Sequence, residues 1–186
     1  MRNTNPIRGC EAGRVGSRQQ SPKQPRAKAV NGARVQGKPA KGLEDLQQSV
    51  ASLRKMGFAG ELGMALGGLA LAQHLLGRED QAWESLEEAL SIAFETRSRF
   101  AIFNLGAALA VILADAGKWE QTVEAYSVLM TDPIISSSRW TADMIGNWMD
   151  LASKQLPEDI RQTAEQRGRE GVLFEVLGRL VQEINT

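Results

Sequence analysis

Apolar residues fall into two patterns along this chain. Over residues 1–41 they are small and isolated among Gly, Pro, Arg, Lys, Gln and Asn. From Leu43 onward they recur with helical period, beginning with a stripe at Leu43, Leu46, Val50 and Leu53. Gly57 and Gly60 interrupt that first helix. The pattern then predicts helices over about Glu61–Leu76, Glu79–Thr96, Arg99–Ala116 and Trp119–Met130. Gly77 and Gly117 stand where a helix C-terminus favours glycine. Asp132-Pro133 ends the fifth helix, because the residue before proline avoids the α region. Ser136–Ser138 supply an N-cap for a sixth, about Arg139–Lys154. Leu156-Pro157-Glu158-Asp159 opens a seventh with proline near its first turn, and Gly171–Ile184 reads as an eighth. No segment of the body alternates with period two, so the fold class is all-α.

Charge divides the chain at the same place. Residues 1–41 carry ten Lys/Arg and one acid, Glu11, whereas residues 42–186 carry twelve Lys/Arg and twenty-one acids. The formal net charge of zero is therefore a sum of opposites. The basic stretch has too little apolar surface to offset the entropy of ordering it and reads as a disordered tail. Its functional reading is an arm on nucleic acid or an acidic partner, although no aromatic residue interleaves the charges to stack on bases. The division into a tail at 1–41 and a helical domain at 42–186 follows.

One Cys and one His exclude a disulfide framework within the chain and a closed zinc site, which needs about four ligands. Cys10 lies in the tail, and a reducing compartment, the cytoplasm, is the natural reading. Phe100–Ala114 is the best candidate for a membrane span. It is 15 residues long and contains Asn104, against about 20 apolar residues for a crossing, and it reads as a buried core helix.

A repeat organises the body. Gly77 and Gly117 are 40 residues apart, and Leu69–Ala82 corresponds to Leu109–Thr122: an apolar helix, a glycine turn, a short polar link, then an amphipathic helix. Leu86 matches Tyr126 and Ala89 matches Leu129. One helix pair cannot cover its own apolar face, so stacked antiparallel pairs, an α-solenoid, are expected.

These residues resemble the tetratricopeptide repeat family. Gly77, Ala82, Leu86 and Ala89 carry its glycine–small–large–small spacing, Gly117, Thr122, Tyr126 and Leu129 carry it more loosely, and Ala70 and Ala110 stand at its early small position. The 40-residue period is longer than the family's. Together with Leu156-Pro-Glu-Asp-Ile160 and Ala164-Glu-Gln-Arg-Gly168-Arg169, it is similar to the C-terminal helical sensor domains of large bacterial LuxR-type ATP-binding transcription regulators. The likeness spans about Leu43 to Arg169 and lacks both the nucleotide-binding domain and the DNA-reading helix-turn-helix of those regulators. It implies a protein- or peptide-binding module, no enzyme, with no cofactor, no metal and no membrane partner, used in bacterial regulation or signalling. The second reading is a fragment of a transcription regulator that meets nucleic acid through its basic tail. In the family's register the first helix of each pair lines a concave groove. That places Met64, Leu71 and His74 in the groove, then Asn104, Val111 and Asp115, then Met144 and Asn147. The two asparagines would bond a peptide backbone, and Met and Val would give adaptable apolar contact.

Other clusters have blander readings. Gly60, Gly63, Gly67 and Gly68 are no phosphate loop, since no Gly-Lys-Ser/Thr follows and no strand precedes. They read as sites of close helix packing. Glu84, Glu87 and Glu88 lie on the polar face of an amphipathic helix. His74 has no evident nucleophile and reads as a partly buried residue at a helix end. Trp140 and Trp148, with Met144 between them, suit a core face or a peptide anchor.

Overall fold

In a computed structural model the described residues are 39–184 for the backbone. Side chains are described over the same span except at 39, 40, 140–142 and 144. The tail therefore lies outside the described residues apart from its last turn. Nine helices follow in order among them: α1 Pro39–Met56, α2 Ala59–Leu75, α3 Glu79–Thr96, α4 Arg99–Asp115, α5 Trp119–Leu129, α6 Pro133–Ser136, α7 Arg139–Gln155, α8 Glu158–Glu170 and α9 Leu173–Ile184. There is no strand among the described residues, and no described helix is long and apolar enough to cross a membrane. α1 starts earlier than its first apolar residue, because Pro39 suits a first helical turn that needs no N–H.

The first four helices are punctuated at even spacing. Gly57, Gly77, Arg97 and Gly117 all have left-handed backbone, with φ of 75°, 75°, 51° and 74°, one turn every 20 residues. The glycine turns close alike. Arg78 N–H donates to the Gln73 carbonyl at 2.9 Å and Gly77 N–H to that of His74 at 2.9 Å. Lys118 N–H donates to Leu113 at 2.9 Å and Gly117 N–H to Ala114 at 3.0 Å. These bonds satisfy the helix-end carbonyls and turn the chain back on itself. Arg97 performs the same turn without glycine, at the steric cost of a Cβ, and its guanidinium sits 5.3 Å from the centre of the Phe174 ring.

α2 packs on α1, α3 and α4, and α4 packs on α5. Glycines set the closest approach. A Cβ at Gly67 would lie 2.8 Å from the backbone of Asn104 and Leu105, and one at Gly63 would lie 2.8 Å from the Ala101 methyl. Gly63 and Gly67 thus form a packing seam between α2 and α4, while Gly68 faces Leu46 of α1. α4 is the central helix, with Ile102, Leu105, Leu109 and Leu113 fully buried. Ala82, Leu86, Ala89 and Ala93 line the buried face of α3, and Glu84 and Glu87 are exposed on the other.

The even pattern stops after Gly117. Ser137 is right-handed, and the α7–α8 turn passes through extended Leu156 and Pro157. α8 then packs mainly on α5, where Gly168 brings it against the Glu124 carbonyl and the Val128 amide. The Asp132-Pro133 step does more than end α5. Asp132 Oδ1 accepts from Ile134 and Ile135 N–H at 2.9 and 3.3 Å and so caps the one-turn α6, which the sequence pattern missed. Ser138 precedes α7 in extended conformation, but its hydroxyl makes no capping bond.

The last helix doubles back. α9 packs on α3, α4 and α5, burying Val176, Leu177, Leu180 and Val181. Phe174 meets Phe94 edge-on at 5.5 Å. Arg179 and Arg167, from α9 and α8, both pair with Glu124 of α5, whose side chain is 4% exposed.

Candidate functional site

The glycine turn at 77 places the start of α3 against the end of α2. His74, in the last turn of α2, is brought beside Glu79, the first residue of α3: imidazole Nδ1 is 2.6 Å from Glu79 Oε2. The packing of α2 on α4 brings the last residue of α4 to the other side of the ring, with Nε2 2.9 Å from Asp115 Oδ2. The imidazole and the Asp115 carboxylate are 6% and 7% exposed, whereas Glu79 is 47% exposed. Beside them, the buried Ser85 hydroxyl donates to Gln73 Oε1 at 2.8 Å and ties α3 to α2.

The electrostatics follow from position. Asp115 is an anion at the negative end of a helix dipole, an unfavourable place unless a cation is near. His74 supplies that cation when protonated and lies at the C-terminal end of α2, where positive charge is favoured. Burial by itself pushes the imidazole pKa down. The hydrogen bonds to Asp115 and Glu79, with the charges of both carboxylates, outweigh it and hold His74 above its ordinary value. With both ring nitrogens committed to carboxylates, neither can take a proton from a substrate in this arrangement.

These groups open onto a cleft of about 490 Å³, whose walls include Trp83, Ile112 and Ile184 from α3, α4 and α9. One buried side-chain oxygen here, Asp115 Oδ1, has no hydrogen-bond partner among the described residues. No group of three or more metal-ligating side chains is arranged for an ion among the described residues.

Of the eight residues expected to line a groove, the fold joins two, His74 and Asp115, in this cleft. Leu71 packs against a buried cluster formed by Val111 and Ala114 of α4 and Trp148 of α7, and Val111 is 1% exposed. Met64 is exposed beside Phe100 in a separate cleft of about 320 Å³ towards the start of α2. Asn104 is half-buried, and its amide donates to the Phe100 carbonyl at 3.1 Å within its own helix. Asn147 is exposed on α7. The side chains of Met144 and Trp140 lie outside those described. Glu79 and Trp83 were not expected at a site. Glu79 carries a local signal, an acid two residues after the turn glycine that follows His74, whereas Trp83 carries none.

Comparison with known proteins gives no match: no family model, no curated protein and no solved structure is found to be similar to this chain.

Proposed function

We propose that the chain is a protein- or peptide-binding helical-repeat module, built as an α-solenoid of tetratricopeptide-like pairs and used in the cytoplasm as part of a bacterial regulatory or signalling protein. The observation that carries this reading is the packing of α2 directly on α4, each followed by the same glycine turn into a second helix. That is the relation expected of the first helices of successive repeats. It also sets polar side chains of neighbouring units, His74 and Asp115, into one cleft with apolar walls. Such a cleft, apolar with a few convergent polar groups, suits a ligand segment better than a flat contact does. The α9 helix occupies the side formed by α3 and α5 and closes the module there. The test is selection of binding peptides from a random display library, followed by mapping on the isotope-labelled protein. Amide shifts confined to α2, α4, the turns after them and the cleft walls at the start of α3 and the end of α9 are the expected result. Peptides that map instead to α8 or the outer face of α3, or a failure to select any binder, would overturn the reading.

A further inference from the structure

We propose that the cleft at the ends of α2 and α4 is a recognition pocket for a primary alkylammonium group, the side chain of a lysine or the free amino terminus of a peptide. The inference deepens the peptide-binding reading and rests on it.

Three observations converge. The first is the orphaned acceptor. Asp115 is 7% exposed, lines the cleft and spends only Oδ2 on His74, leaving buried Oδ1 unpaired among the described residues. A buried carboxylate oxygen without a donor is costly, and a ligand N–H⁺ relieves that cost. The second is the field. Even with His74 protonated, one imidazolium faces two carboxylates, so the cluster stays negative. The C-terminal ends of α2 and α4 add their partial negative charge at the same place. The flanking turns carry Arg78 and Lys118, but neither is among the residues lining the cleft, and Lys118 donates to the Glu183 carbonyl at 3.2 Å. The third is the wall. Trp83, Ile112 and Ile184 offer apolar surface to the methylene stem that carries an ammonium head.

The head group is an ammonium rather than a guanidinium. A single free oxygen matches a compact point donor, while a guanidinium gains most from a bidentate acceptor. Oδ1 is buried, so the lining of the cleft must give slightly to admit the head group, and Trp83 and Ile184 in that lining are only half-buried.

His74 is the only histidine in the chain, so its ring resonances report on the pocket alone. The experiment titrates n-butylammonium chloride into the labelled full chain, against sodium chloride of equal ionic strength and against 1-butanol. A saturable movement of the His74 Cε1–Hε1 signal with butylammonium alone is expected, weakened at least about tenfold in Asp115→Asn. Glu79→Gln, at the exposed rim, provides a second variant whose weakening is measurable if Asp115→Asn does not fold. A capped lysine peptide, its side-chain-acetylated form and a peptide whose only amine is its amino terminus then identify the source of the ammonium. No saturable movement with butylammonium, or an equal one with 1-butanol, overturns the proposal. If a selected peptide binds unchanged after all its amines are acetylated, the ammonium pocket falls while the peptide-binding reading stands.

Discussion

His74 and Asp115, 41 positions apart in the chain, join through a 2.9 Å contact between Nε2 and Oδ2 that fastens the end of α2 to the end of α4. The same ring reaches Glu79 through its other nitrogen, so one imidazole links three helices. A residue held this way couples the stability of the helical fold to its own protonation.

The pH dependence has a definite sign. The folded-state pKa of His74 is raised, so the folded form binds the proton more tightly than the unfolded chain, whose histidine titrates at about 6.5. The stabilisation is fully present below that value and is lost as pH rises through the elevated folded pKa. Urea midpoints of the native chain are expected to fall from pH 6 to pH 8, relative to His74→Gln, in which the fall is absent. Parallel profiles for the two proteins would show that the carboxylates do not hold the proton.

The α2–α4 seam is expected to reject a methyl group that an open helix face accepts. Gly67→Ala places a Cβ 2.8 Å from the backbone of α4, which must move, at a cost of about 1–3 kcal/mol. Gly146→Ala meets nothing within 4 Å and should stabilise α7 by about 0.5–1 kcal/mol through helix propensity. Thermal or urea unfolding of the two variants should therefore move in opposite directions.

A similar contrast tests the register of α3. Ala89 is fully buried and Glu84 is exposed. Ala89→Leu should cost about 1–3 kcal/mol by overpacking, while Glu84→Leu should stay within about 0.5 kcal/mol. Equal midpoints would mean that the helix presents a different face to its neighbours.

The Glu124 cluster should respond non-additively. Either Arg167→Ala or Arg179→Ala leaves one guanidinium on the buried carboxylate. The double variant leaves none and should cost about 3 kcal/mol, more than the two single losses together. A double-mutant cycle that sums would remove Glu124 as the shared anchor of α8 and α9.

The elements themselves were legible in the sequence because what makes them is local. Helical period, glycine after the last apolar residue and proline at a first turn act within a few residues, and they locate α2 to α5, α7, α9 and the start of α8 to within about two residues. The 40-residue correspondence likewise anticipated the two glycine turns. The site was legible only in part. His74 and Asp115 were picked by register, but that they touch depends on how closely α2 lies on α4, which Gly67 decides against the α4 backbone and Gly63 against the Ala101 methyl. The tertiary structure alone decided that Val111 would join Trp148 in one buried cluster, that Trp83 and Ile184 would wall the cleft, and that α9 would return to α3, α4 and α5. Such pairings turn on the volume left between helices that are not neighbours in the chain, and no periodicity within one helix records that volume.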